Sequence, residues 1–113
     1  MNEIILKDLP KISLNQWYAG SHWSKRNEIK NNYHYLIQSQ LKSNYQFTKE
    51  QKYEVNYVFF FKTKPLDASN CVAMVKLIED VLFEDDNYKI IQNISIQSNK
   101  GKEDLVYIQI KTC

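Results

Sequence analysis

The run YEVNYVFFFKTK at residues 53–64, together with the helical pattern that follows it, most constrains the fold. β-branched and aromatic residues dominate the run and Pro65 ends it, so we predict a buried strand. From about Ser69 to Phe83 the apolar residues then recur at helical spacing, namely Cys71, Met74, Val75, Leu77, Ile78, Val81 and Leu82. A buried strand followed closely by an amphipathic helix predicts a sheet with a helix packed on one face.

The other segments complete an α+β pattern. In chain order they are a strand at 3–6 (EIIL), a helix from Ser21 or Ser24 to about Lys42, and two alternating strands at 88–99 and 104–112. The sequence NKGKE between the last two strands predicts a hairpin turn. We therefore expect a small, mostly antiparallel sheet with two helices on one face, in the order β-α-β-α-β-β.

Composition favours one folded domain over residues 1–113. Hydrophobic residues make up 43% of the 113 residues and charged residues 25%, which is typical of a globular chain. The two cysteines, Cys71 inside the predicted helix and Cys113 at the last position, suggest no disulfide framework and favour a reducing compartment. We identify no signal peptide and no membrane span, so we expect a cytoplasmic protein.

Charge is distributed unevenly along the chain. Residues 1–64 carry a net charge of +5 and residues 65–113 a net charge of −3, which together give +2. A basic half can contact phosphates, and a cation between the halves would relieve repulsion from the acidic half. Ordinary variation in surface charge explains the same numbers, so charge alone does not choose between the two interpretations.

Most of the acidic residues in the second half gather around the second predicted helix. Asp67 precedes the helix, Asp80 lies near its end, Asp85 and Asp86 follow it, and Lys76 lies four residues before Asp80. Structural explanations exist for each part: a helix cap, a surface ion pair and a solvated turn. Together, however, carboxylates and a lysine are the groups used to bind Mg²⁺ and to stabilise charge on a phosphate under attack.

The run Asp67…Asn70…Lys76…Asp80…Asp85-Asp86 resembles the RusA family of Holliday-junction-resolving endodeoxyribonucleases. The segments SLNQWYAGSHWSKR and LDASNCVAMVKLIED resemble phage-type members, and the resemblance covers roughly residues 12–110. It implies a homodimeric enzyme that depends on Mg²⁺, with Mn²⁺ as an alternative ion, and that nicks four-way or other branched DNA in recombination and replication. The implied catalytic residues are Asp67, Asn70, Lys76, Asp80 and Asp86. The implied metal ligands are Asp67, Asp85 and Asp86.

One departure from the family pattern motivates an alternative. Ser69 stands where the pattern has a second Asp, and Lys76 follows Asn70 by six positions, a longer interval than in the pattern. The second acidic position is then absent, or the carbonyl oxygen of Asn70 serves in its place. A catalytically weak module that binds branched DNA is the alternative function, and an α+β protein unrelated to nucleic acids is a third.

Aromatic and basic residues in the first half suggest a surface for DNA. Aromatic rings can stack on unpaired bases, and lysines and arginines can hold phosphates. The candidate DNA-binding residues are Trp17, Tyr18, His22, Trp23, Lys25, Arg26, Lys62 and Lys64. The alternative is that the tryptophans pack on the sheet and the cations are ordinary surface charges. We assign His34, in the middle of the first long helix, a structural role.

Overall fold

The computed structural model describes residues 2–18, 23–41, 47–48, 50–84 and 87–113. Its strands are β1 (Asn2–Lys7), β2 (Tyr53–Phe61), β3 (Ile91–Lys100) and β4 (Leu105–Thr112). Its helices are α1 (Leu14–Tyr18), α2 (Trp23–Gln40) and α3 (Val72–Leu82), and a 3₁₀ turn at Ala68–Cys71 leads into α3. The predicted α+β class is confirmed. No helix in these ranges is both long enough and apolar enough to cross a membrane.

The four strands form one sheet in the order β1-β4-β2-β3. β4 pairs antiparallel with both β1 and β2, so most of the pairing is antiparallel, as predicted. β3 instead runs parallel to β2, because α3 carries the chain back across one face of the sheet before β3 begins. The predicted hairpin between β3 and β4 is therefore wrong, since β2 lies between these strands.

The loop at residues 101–104 crosses the end of β2 to reach the far side of the strand. The amide of Gly101 donates to the carbonyl oxygen of Phe61 at 2.9 Å, and the amide of Lys62 donates to Oδ1 of Asp104 at 2.8 Å. A Cβ atom at position 101 would lie 3.0 Å from Cβ of Phe60, so any larger residue here would crowd Phe60 and force a small shift of the chain. The turn signal in NKGKE thus marks a crossing over β2 rather than a hairpin tip.

The core lies between one face of the sheet and the helices. Alternate residues of β2 are buried, namely Tyr53, Val55, Tyr57, Phe59 and Phe61. Each fully buried aliphatic or phenylalanine side chain stabilises the fold by roughly 1.5–3 kcal/mol. α3 covers this face with an almost continuous set of buried residues, Ala73, Met74, Val75, Leu77, Ile78, Glu79, Val81 and Leu82. The face of α3 that remains exposed carries Lys76 and Asp80.

α2 packs on the core through a narrow stripe and is otherwise polar. Tyr33 and Ile37 are fully buried, and the hydroxyl of Tyr33 donates to the carbonyl oxygen of Pro10. At the end of α2, Oε1 of Gln40 accepts from the amide of Lys7 at 2.7 Å, and Nε2 of Gln40 donates to the carbonyl oxygen of Lys7 at 2.8 Å. These contacts fix α2 against β1, with its polar faces turned to solvent.

α1 lies in a segment for which the sequence predicts neither a helix nor a strand. Oγ of Ser13 accepts from the amide of Gln16 at 3.0 Å, and Oε1 of Gln16 accepts from the amide of Ser13 at 2.9 Å. This reciprocal pair is a capping box. The cap starts a short helix that places Trp17 and Tyr18 beside the first turn of α2.

Candidate functional site

Asp67 lies at the N-cap position of the 3₁₀ turn before α3, but its carboxylate does not cap that turn. Its backbone carbonyl accepts from the amides of Asn70 and Cys71 at 2.8 and 3.2 Å, while its side chain makes no cap hydrogen bond. Asn70 does not occupy the N-cap position of α3, which belongs to Cys71. Asp67 is exposed and Asn70 half-buried. Helix capping therefore does not account for the Asp67 carboxylate.

The surroundings of Asp67 tie the turn to β3. The hydroxyl of Ser98 donates to the carbonyl oxygen of Leu66. Burial raises the pKa of the nearby Cys71 thiol, a hydrogen bond with Ser98 lowers it, and the negative charge of Asp67 raises it further. The net effect is a raised pKa, so Cys71 is a protonated core residue rather than a nucleophile.

Lys76 and Asp80 share the exposed face of α3 and line one surface groove. The groove lies between α3 and the first two helices and consists of two adjoining hollows of about 160 and 270 Å³. Lys76 lies in the smaller hollow, at the α1 end, and Asp80 contributes to both. Their spacing along α3 puts their Cβ atoms about 5–6 Å apart. The sequence prediction that these two side chains lie together agrees with this geometry.

The length of α3 separates Asp67 from Asp80. α3 has 11 residues and begins at Val72, so Asp80 lies about 12 Å along the helix axis from its start, whereas Asp67 precedes that start. One Mg²⁺ ion binds oxygens at about 2.0–2.1 Å, so these two carboxylates are not ligands of the same ion within one chain. Of the expected metal ligands, Asp67 is placed by the structure, while Asp85 and Asp86 lie outside the described residues.

Oxygen donors near Asp67 are compatible with part of a magnesium site. Mg²⁺ is usually held by one or two carboxylates, with water and substrate phosphate completing its shell. Asp67 supplies one exposed carboxylate, and Asn70, three residues on, carries an amide oxygen. In the described part of the chain no three His, Cys, Asp or Glu residues lie close enough together to hold a metal ion.

Trp17, Tyr18 and Arg26 form a compact aromatic and cationic group at the α1 end of the groove. The Arg26 guanidinium lies 5.8 Å from the ring centroids of both Trp17 and Tyr18, and Nη2 of Arg26 donates to the carbonyl oxygen of Tyr18 at 3.3 Å. Trp17 is half-buried and packs against the core, whereas Tyr18 is 65% exposed. Of the two interpretations of this segment, packing on the core fits Trp17. A surface available for DNA fits Tyr18, whose ring is open to solvent.

The opposite wall of the groove contains residues that the sequence analysis did not select. Lys30 lines both hollows, and His34 lines the larger one. Arg26, Lys30 and His34 follow one another at intervals of four along α2, which places them on one helix face. This spacing was the available signal. These positions lie outside the apolar stripe of α2, and the structural role predicted for His34 does not fit its exposure.

The remaining predicted DNA-binding residues are distributed over the surface. Lys25 is exposed on the first turn of α2, near Glu28. Lys62 and Lys64 are exposed where β2 ends, and the carbonyl oxygen of Lys64 accepts from Nζ of Lys11 at 2.8 Å. His22 and the side chain of Trp23 lie outside the described residues.

Comparison with known proteins does not add a family. A scan against protein-family models found no match, and a search of curated proteins found none.

Proposed function

We propose that this protein is a divalent-metal-dependent endonuclease that nicks four-way or other branched DNA. One observation carries the proposal: the groove brings Lys76 and Asp80 opposite Lys30 on α2, with the exposed ring of Tyr18 at one end. A lysine and a carboxylate beside a cationic, aromatic wall suit a phosphodiester next to unpaired bases. The resemblance of the 66–86 segment to RusA-type resolvases supports the same conclusion.

The proposed reaction is hydrolysis of one phosphodiester bond. A water oxygen attacks phosphorus, the bond from phosphorus to the 3′ oxygen breaks, and the products carry a 5′-phosphate and a 3′-hydroxyl. The Lys76 ammonium stabilises negative charge that builds on the phosphate oxygens. Asp80, one helical turn away, orients Lys76.

Asp67 is the described residue that would hold the divalent ion, with Asp85 and Asp86 as the other proposed ligands and the Asn70 amide nearby. When bound, such an ion neutralises phosphate charge and lowers the pKa of water. A homodimer is part of the proposal, because a two-fold symmetric junction presents two equivalent strands to two equivalent active sites.

A labelled four-way junction incubated with the protein and Mg²⁺ tests the proposal. We expect paired nicks from the wild type, and a loss of at least about 100-fold in cleavage rate, the scale of a lost charge-stabilising group, from Lys76→Gln, Asp67→Asn and Asp86→Asn, with junction binding retained in the two Asp variants. Glu103→Gln removes an exposed carboxylate that pairs with Lys7 at 3.2 Å and serves as the control. Unchanged cleavage in Asp67→Asn and Asp86→Asn would remove the metal-ligand assignments, and an absence of wild-type nicks would remove the nuclease.

The binding-only alternative has support of its own. Ser69 stands at the second acidic position, and in the ranges that the structure describes the carboxylates of Asp67 and Asp80 are separated by most of the length of α3. A protein with this arrangement could recognise branched DNA without cutting it. The junction experiment separates the two functions: a gel shift without nicks, in both Mg²⁺ and Mn²⁺, supports the binding module.

A further inference from the structure

The wall of the groove formed by α2 carries a lysine, Lys30, that has no role among the proposed catalytic residues. Lys30 is exposed and contributes to both hollows, so it lies across the groove from Asp80 and within the same hollow as Lys76. Lys30, Lys76 and Asp80 together carry a net charge of +1 at neutral pH. One phosphodiester carries a charge of −1, so the excess of positive charge in the groove favours binding of a phosphate group.

The end of the groove at α1 adds a surface for a flat aromatic ligand. Tyr18 lines the smaller hollow together with Lys30 and Lys76, and most of its surface is open to solvent. The Arg26 guanidinium lies 5.8 Å from the centroid of this ring and donates a hydrogen bond to the Tyr18 backbone carbonyl, which together position the residue. A positioned aromatic ring next to lysines is the usual arrangement for binding a base and its phosphate in a single strand. A base inside a duplex does not offer its face for such stacking.

We propose that the groove between α2 and α3 binds one unpaired nucleotide, with its phosphate between Lys30 and Lys76 and its base stacked on Tyr18. This inference rests on the proposed function, because branched DNA is what supplies an unpaired nucleotide to this site. It adds Lys30 to the binding residues and gives the groove a preference for single strands over duplex.

Fluorescence anisotropy in EDTA tests the site without any contribution from cleavage. The probes are labelled (dT)10, a single strand of the same length in which every nucleotide is abasic, and a duplex of equal length. We expect the wild type to bind (dT)10 more tightly than the duplex. Lys30→Gln should weaken (dT)10 binding about tenfold and reduce the slope of log affinity against log salt by about 0.7, since one phosphate contact is lost. Lys102→Gln, in the loop after β3, is the matched control.

Tyr18→Ala separates stacking on the base from contact with the phosphate. It should weaken binding of (dT)10 by about tenfold or more, consistent with the usual contribution of stacking, and leave binding of the abasic strand unchanged. Tyr88→Ala removes a ring that is 80% exposed elsewhere and is the control. Circular dichroism checks that Lys30→Gln and Tyr18→Ala are folded.

Each outcome decides for or against the proposed site. The inference is overturned if Lys30→Gln behaves like Lys102→Gln, if Tyr18→Ala weakens the abasic strand equally, or if the wild type prefers the duplex or binds neither probe. Junction cleavage in Mg²⁺ is measured separately. Cleavage with a negative single-strand result leaves the nuclease standing and removes the nucleotide site, and single-strand binding without cleavage does the reverse.

Discussion

The carboxyl group of Glu79 lies inside the core, only 4% exposed, on the face of α3 that packs against the sheet. Oε2 of Glu79 accepts a hydrogen bond of 3.2 Å from the hydroxyl of Tyr57, which is fully buried on β2. A buried carboxyl group without hydrogen-bond partners is costly, so this bond helps to hold α3 on the central strand. The burial of Glu79 is not expected from the sequence, because a glutamate on a helix is usually exposed.

Removing the Tyr57 hydroxyl should therefore destabilise the protein. We expect Tyr57→Phe to lower the free energy of unfolding by about 1–3 kcal/mol, since a buried oxygen of Glu79 loses a donor. Urea denaturation measures the change. Tyr35→Phe makes the same chemical change on a side chain that is 71% exposed and should leave stability nearly unaltered. Equal effects from the two variants would show that the hydrogen bond contributes nothing.

The relative positions of two residues can be predicted from the sequence when both lie on the same helix. Lys76 and Asp80 are four residues apart on the exposed face of one helix, so their proximity follows from helical geometry alone. Lys30 is not predicted from the sequence, because it lies across the groove from Asp80 only once α2 has packed beside α3. Proximity between residues on different helices depends on how the helices pack, and the spacing of residues within one helix does not reveal it.

At the level of elements, burial explains which segments could be predicted. β2 and α3 are buried along most of their length, so their apolar patterns are strong, and their predicted extents differ from the observed ones by about three residues at most at each end. α1 is only five residues long and has no fully buried residue. Its apolar residues Leu14, Trp17 and Tyr18 span a single turn, which is too short to establish a helical period. Its signal is the pair Ser13 and Gln16, three positions apart, which indicates a capping box.

Loss of that cap should unfold α1 and disturb the aromatic end of the groove. We expect Ser13→Ala to reduce the free energy of unfolding by about 0.5–2 kcal/mol and to weaken binding to the four-way junction, because Tyr18 is no longer held in place. Thermal unfolding and anisotropy provide the two measurements. Ser13→Thr keeps a capping hydroxyl and should restore both values. A Thr variant as impaired as the Ala variant would argue against the cap.

On the scale of the whole molecule, the strand order β1-β4-β2-β3 differs from the predicted pairing of β3 with β4. The alternating patterns of β3 and β4 show that both are strands, but alternation does not say which strand pairs with which. The strand order depends on two connections. α3 carries the chain across the sheet from β2 to β3, and the loop at residues 101–104 carries it over the end of β2 to β4. At that crossing Gly101 lies close to Phe60. The sequence predicts that this glycine forms a hairpin turn, whereas in the structure it allows two segments that are distant in sequence to approach closely.

Stability of the whole fold should decrease in alkaline solution. Burial raises the pKa of Cys71 from its ordinary value of 9.0 and that of Tyr33 from 10.0, and a hydrogen bond with Glu3 raises the pKa of Tyr107 from 10.0. Each group binds its proton more tightly in the folded state than in the unfolded state. Its contribution is therefore complete below the unfolded pKa and is lost as pH rises towards the folded pKa.

Urea denaturation between pH 7 and 11 measures this dependence. We expect the free energy of unfolding to decline from about pH 9, where the unfolded Cys71 thiol ionises, and more steeply above pH 10, where the tyrosines follow. Cys71→Ala should remove the first part of the decline and keep the second. A stability curve that stays flat or rises from pH 8 to 11 would contradict the raised pKa values.

The paired hydrogen bonds between Gln40 and Lys7 also affect how the protein meets its neighbours. β1 is an outer strand of the sheet, and free backbone groups on outer strands invite strand addition by other chains, the first step of many aggregates. The Gln40 amide occupies both backbone groups of Lys7, as an incoming strand would. A strand from another chain must displace Gln40 to pair with Lys7. The helix that forms one wall of the groove therefore also hinders polymerisation through this edge of the sheet.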